Sequence, residues 1–509
     1  MAVEQQIAMQ TTAPPVAPKP RWSMSLFALC IAFVLVRLPF IFTVPMQEAP
    51  DEFAHYWVIR FIKDHARLPN AHEVMAGGPS AVYGSLPQLG YIPHLLMVSL
   101  VPQADLSLFE RFGSLAMGLV LLYAAYQIGR LLFPRNKLMS FAVPVLVVFH
   151  PQLAFVHSYT NNDATSSALA AVILLLTLRS VKDGIKISRA AVMGVLMGWL
   201  ALSKYSGLAI MPVVALALVA AAVLHKTSVA KFVSAMAVLG GLAAGISLPW
   251  FLHNYAEYSG DFLGTNTMYK SWATTFHRDL NYHVSIYRVI KELRWWRMMF
   301  FSFWGLFGYM TKYMWRPTYF VYLGFLIASA CGGITMLVRS IRQRQQSVGT
   351  RAVNAGSESV GAIGATGGPG SVGVPGSIGV VGSTGVSGSI GVPRSTGVPG
   401  TRSVVPGYLA SFAGEQWQMR VMWASLGLCV LINVSAMLWA STTNLGGPQG
   451  RYLFTSEVPV LALLVAGLNQ LHQRWGKRLV MGFILFNMIV CFGAWMMLYC
   501  AYGFHGHPL

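Results

Sequence analysis

The sequence predicts an all-α protein, a polytopic bundle of transmembrane helices, and three observations predict it. Hydrophobic residues make up 55% of the 509, charged residues only 10%, and the mean hydropathy is +0.55. A soluble domain carries about 25% charged residues, so most of this surface is suited to lipid. Apolar runs long enough to cross a bilayer recur along the chain. The formal charge of +19 is concentrated in short loops beside those runs, the positive-inside pattern of a membrane protein. That distribution argues against nucleic acid as a partner.

Residues 1–23 read as a cytoplasmic tail, polar and proline-containing. The first span, about 24–44, is too long for a cleavable signal, holds Arg37 and Pro39 late in the run, and lacks a small-residue cleavage site. It is read as a retained helix. Lys19 and Arg21 precede it, which puts the N-terminus inside. An outer loop, 45–107, follows, in which Leu89–Val101 is apolar but too short to span.

Spans at about 109–132, 138–157 and 164–179 come next, with Arg130, Arg135 and Lys137 inside and Asn161-Asn162-Asp163 outside. Those at 190–203, 206–224 and 232–252 lead out, in and out, turning inside at His225, Lys226 and Lys231. A polar, aromatic outer loop, 253–296, precedes the short apolar stretch Met298–Met310. The span at 317–338 ends inside at Arg339, Arg342 and Arg344. Spans at 420–441, 453–471 and 479–502 close the chain, for a total of about eleven. The charge rule closes only if neither short stretch crosses. The division is a module 24–340, a cytoplasmic linker 341–416 and C-terminal helices 417–509.

Within the linker, glycine recurs every third residue from Gly361 to Gly400, broken at Arg394. This spacing is that of collagen, since only glycine fits a triple-helix axis. Proline is sparse and the run short, so a flexible linker expanded by duplication is the expectation. The five cysteines lie in or beside apolar runs without a C-x-x-C pair, and read as packing residues.

The outer loop opens with Pro50-Asp51-Glu52-Phe53-Ala54-His55-Tyr56-Trp57. Phe53, Trp57, Val58, Phe61 and Ile62 share a helical face that Asp51, Glu52, His55 and Lys63 avoid. The pattern predicts an amphipathic helix lying on the membrane surface, with an acid pair where a helix N-terminus favours negative charge. Three readings follow. The acids are a cap with a solvated face. Or Glu52-x-x-His55 holds a metal, at the spacing of dimetal bundles, although no second E-x-x-H exists. Or a carboxylate at the bilayer surface acts as general base on an acceptor hydroxyl or amine beside a lipid-linked donor.

At these residues the chain resembles the type C membrane glycosyltransferases (GT-C), a superfamily that includes protein O-mannosyltransferases, the aminoarabinose transferase of lipid A and an uncharacterised bacterial branch. Asp51-Glu52 matches the acidic motif after the first helix, and Asp163 the second acid after the third. The segments Gln449-Gly450-Arg451-Tyr452-Leu453-Phe454 and Phe303-Trp304-Gly305-Leu306-Phe307-Gly308 resemble the uncharacterised branch. The resemblance covers nearly all the chain except the glycine repeat.

It implies inverting transfer of a sugar from a polyprenyl-phosphate donor to a glycan, lipid or protein acceptor. The site would face the periplasm from a bacterial inner membrane. Asp51 would be the base, with Glu52 or Asp163 orienting it or holding a divalent metal ion. The donor phosphate needs cations, and Lys204, Arg451 and Arg37 lie near outer helix ends. Each alternatively snorkels to head groups. His55, Gln449 and Tyr452 complete the expected substrate-binding set. His253, Tyr255 and His277 read more readily as a solvated loop. The rivals are a transporter or flippase of lipid-linked sugars, which would carry its ionisable residues near the midplane, and an assembly subunit without catalysis.

Overall fold

The computed structural model describes residues 24–101, 106–277, 283–361, 407–443, 448–472 and 474–503, with backbone alone at 106, 275–276, 340–361 and 407–413. Among the described residues, nine helices are long and apolar enough to cross a membrane. Two further expected spans, 138–157 and 190–203, correspond to shorter apolar helices. The chain is an all-α polytopic membrane protein, and its only strands among the described residues form one two-residue hairpin.

Helix α1 (Met24–Thr43) leads into α2 (Glu52–His65), α3 (Ala71–Ala76) and α4 (Ile92–Leu100). At nine residues α4 is too short to cross. Then come α5 (Leu106–Leu132), α6 (Lys137–Phe149), α7 (Pro151–Val156), α8 (Asp163–Asp183), α9 (Ile187–Ala201), α10 (Met211–Leu224) and α11 (Val229–Glu257). The expected span 138–157 is thus broken between Phe149 and Pro151. His150 stands in the extended region and its Nδ1 accepts from the Leu153 amide, capping α7. The outer loop continues as α12 (Thr265–Phe276), α13 (Ile286–Lys291) and α14 (Trp295–Trp304), then the hairpin of β1 (Leu306–Phe307) and β2 (Lys312–Tyr313). Helices α15 (Arg316–Gly361), α16 (Gly407–Ala440), α17 (Glu457–Leu471) and α18 (Gly476–Tyr502) complete the chain.

The chain divides into two compact units, Met1–Gly333 with Glu415–Leu509, and Ile334–Gly414. Helix α15 runs on through Gly361 and α16 begins at Gly407, both within the expected linker 341–416. Loss of apolar residues marked the end of the span but not of the helix. The stretch after Arg339 is rich in Arg, Gln and Ser and contains no proline before Gly361, so the helix continues despite Gly349 and Gly356. The glycine repeat lies at 362–406, outside the described residues.

In the first unit, one continuous apolar core joins α1, α5, α6, α8 and α9 to α17 and α18. Gly90, just before α4, abuts the Asn162 side chain and the Ser203 backbone, where an added Cβ would stand 3.2 Å from the Ser203 Cα. Thr165 Oγ1 donates to the Gly90 carbonyl at 2.8 Å, and Trp199 Nε1 to that of Leu89 at 2.9 Å. The outer loop is therefore pinned onto the ends of α8 and α9.

All five cysteines are free thiols.

Candidate active site

Four charged side chains from distant parts of the chain meet beside α2 and α8. Asp51 sits just before α2 with φ 62°, in the left-handed region, which Asp tolerates better than most side chains. Asp163 is the first residue of the 21-residue α8, at a helix end that favours an anion. Lys204 leaves the turn after α9 and precedes the 3-10 segment Tyr205–Ile210. Arg451 lies in a second 3-10 segment, Gly450–Ser456, ahead of α17.

Arg451 lies between the two acids. Its Nη2 pairs with Asp51 Oδ2. Its Nη1 donates to the Tyr159 hydroxyl at 3.1 Å and the Pro50 carbonyl at 3.3 Å. Its Nε faces Asp163 Oδ2 across 3.8 Å, and both atoms lack a hydrogen-bond partner. Lys204 Nζ holds the other Asp163 oxygen at 2.5 Å. The Tyr452 ring lies under both cations, 4.6 Å from Lys204 Nζ and 5.4 Å from the Arg451 Cζ. Tyr309 donates to Asp51 Oδ1 at 3.1 Å. Asp51 keeps 23% of its side chain exposed and Lys204 20%, whereas Asp163 and Arg451 keep 5% each. The cluster is therefore open on the Asp51 and Lys204 side.

Electrostatics follow from this packing. Burial raises the Asp51 carboxyl, but Arg451 and the groups bonded to it override burial and hold it below its ordinary value. Burial lowers the Lys204 ammonium against the pull of Asp163. His55 lies 3% exposed, with Nδ1 2.6 Å from the Tyr91 hydroxyl and its ring stacked on Tyr83 at 4.7 Å. Burial lowers it to about 3, so the ring is neutral at pH 7.

Glu52 and Arg37 lie elsewhere. Glu52 is fully buried, bridged by Arg111 Nε at 2.8 Å and Nη2 at 2.7 Å, and accepts the Thr160 amide at 2.8 Å. The remaining Arg111 nitrogen donates to the Ile41 and Val44 carbonyls. This two-pronged clamp ties α1, α2, α5 and the 160 turn together. The polar face expected to lie on the membrane surface is thus turned inward at Glu52 and His55, while Phe53, Trp57 and Ile62 stay partly exposed. The cause is that Arg111 and Tyr91 supply partners inside. Arg37 is fully buried and donates to Val148 O at 2.6 Å and Val147 O at 2.9 Å. Those carbonyls belong to the last turn of α6, which has no intrahelical donor for them. Arg37 is neither snorkelling nor part of the cluster. Gln449 precedes the second 3-10 segment, partly buried, and its carbonyl accepts from Tyr452 N at 3.2 Å.

The residues do not fit a metal ion. Among the described residues no three His, Cys, Asp or Glu side chains converge. Arg451 already takes one Asp51 oxygen and Lys204 one Asp163 oxygen, and Glu52 belongs to Arg111. Sequence reasoning missed Arg111, Tyr159 and Tyr309. Of these, Arg111 alone had a signal, a Glu-Arg pair opening an apolar span.

No family model matches the sequence, and no curated protein matches it. Among solved structures, it is similar to ArnT from Cupriavidus metallidurans in the apo state, at 13% identity. That match covers 88% of this chain and 78% of that one, with a TM-score of 0.37.

Proposed function

We propose that the protein is a membrane glycosyltransferase that moves a sugar from a polyprenyl-phosphate donor to an acceptor hydroxyl or amine. The observation that carries this reading is the meeting of Asp51, Asp163, Lys204 and Arg451 at one partly open site. The sequence resemblance described above supports it. A guanidinium and an ammonium side by side suit a phosphate, and a carboxylate within reach suits proton removal.

In the free protein each cation is neutralised by an acid. A donor phosphate entering between Arg451 and Lys204 competes with Asp51 for Arg451. Asp51 then loses its partner, its proton affinity rises, and it becomes a better base. It takes the proton of the acceptor while the acceptor oxygen or nitrogen bonds to the anomeric carbon from the face opposite the phosphate. The carbon–oxygen bond to phosphate breaks, and the polyprenyl phosphate leaves on Arg451 and Lys204. Asp163 keeps Lys204 in position. The configuration at the sugar inverts.

Release of sugar from labelled polyprenyl-phosphate donor tests this. Wild type is expected to turn over. Asp51→Asn is expected to lose about 10²–10⁴-fold in rate, the contribution typical of a general base, while eluting as a folded protein. Wild-type turnover by that variant would remove Asp51 from the chemistry. Vectorial movement of the intact lipid-linked sugar, without its cleavage, would favour the transporter reading.

A further inference from the structure

Residues 286–297 carry Arg288, Lys291, Arg294 and Arg297 within ten positions, against one acid, Glu292. Glu292 pairs with Arg288 at 2.9 Å. Among the described residues the other three cations form no ion pair, and the segment bears a net +3 (four cations minus one acid). Between the charges the chain exposes large apolar groups, above all Tyr287 at 63% and Trp296 at 61%, with Ile286, Ile290 and Leu293. Only Val289 and Trp295 turn inward, against Val284, Met299 and Met437. Such a surface matches the boundary between head groups and acyl chains.

Topology does not account for these cations. The charge rule assigns 253–296 to the outer side, where short loops are poor in Lys and Arg. The segment also continues into the cluster. The Trp295 indole donates to Ser441 Oγ at 2.9 Å, and Ser302 Oγ of α14 accepts from the Gly450 amide at 2.7 Å, next to Arg451. Helix α14 thus joins the exposed basic segment to the turn that carries Arg451.

We infer that residues 286–297 are a docking surface for the head groups of anionic lipids, held beside the charged cluster. The phosphates contact the arginines and Lys291, and Tyr287, Leu293 and Trp296 enter the acyl boundary. This goes beyond the proposed transfer reaction and does not depend on it.

Lipid retention tests it without any turnover. The full chain is reconstituted in nanodiscs of phosphatidylcholine with phosphatidylglycerol, and co-purifying lipid is counted by mass spectrometry. Wild type is expected to be enriched in phosphatidylglycerol. R288Q/K291Q and R294Q/R297Q are expected to lose that enrichment about fivefold per cation removed. K186Q/K231Q, at the opposite ends of the spans, is expected to keep it. Equal retention of both lipids by wild type would overturn the inference. So would unchanged enrichment in R288Q/K291Q, whose exposed side chains leave folding intact, or an equal loss in K186Q/K231Q.

Discussion

At the scale of single residues, the site consists of charges that hold one another in check. Arg451 has only 5% of its side chain exposed and has Asp51, Asp163 and Tyr159 around it. Truncating one member of a buried charge pair costs about 2–5 kcal/mol. Arg451→Ala is therefore expected to raise the KM for the lipid donor by roughly 30-fold or more, with a smaller effect on acceptor KM. An unchanged donor KM in steady-state kinetics would exclude Arg451 from phosphate binding. His55 makes a pH prediction. Its folded pKa of about 3 lies below the ordinary 6.5, so the unfolded chain binds a proton that the native state refuses. Stability is then lost as pH falls from about 6.5 toward 3. His55→Gln removes this term, and its melting-temperature deficit relative to wild type is expected to shrink between pH 7 and pH 4. A constant deficit would mean that the buried ring does not titrate on unfolding. Asp51, Lys204 and Arg451 were legible in the sequence because charge at the end of an apolar run is costly and conspicuous. The partners Tyr159 and Tyr309 were not, since a tyrosine in an aromatic-rich membrane protein carries no such signal.

Among elements, the sequence showed where the long spans lie but not how their ends are finished. Hydropathy marks α8 or α18 directly. It treats 138–157 as one span, because the break at His150 is made by a local cap and a proline rather than by polarity. It also leaves Arg37 looking like a surface anchor, whereas the ends of α6 and α1 are locked together by its two backbone bonds. The Glu52–Arg111 clamp is the larger case. Removing one partner of a buried ion pair typically costs 3–5 kcal/mol. Arg111→Ala is expected to lower stability by about that much, read as the melting temperature of the detergent-solubilised protein, and to lower activity only indirectly. Gly450 is tighter still. An added Cβ would lie 2.2 Å from the Phe303 amide, so Gly450→Ala must displace the 3-10 segment that carries Arg451. Loss of turnover with the fold retained is the expected outcome, and full activity would show that this turn tolerates movement.

At the scale of the molecule, the nine long apolar helices among the described residues set the class, and the charge rule sets the expected orientation. Asp64 and Lys186 are both exposed and are expected on opposite faces. In a background without Cys331 and Cys500, D64C is expected to react with an impermeant thiol reagent in intact cells, and K186C only after lysis. Reversed labelling would invert the assignment and move the charged cluster to the cytoplasmic face.

The Arg451–Asp51 pair spans 400 positions of sequence. A ribosome adding about 5–20 residues per second needs roughly 20–80 s to travel between them. Once Lys204 has been added, the nascent chain contains Asp51, Asp163 and Lys204 but still lacks Arg451. The charged cluster is thus completed only by the last helices to be inserted, and every premature termination before residue 451 leaves it without Arg451. Because the glycine repeat lies between that late part and the rest in sequence, fragments 1–361 and 407–509 made as two polypeptides would have to find each other in the bilayer before the cluster could form.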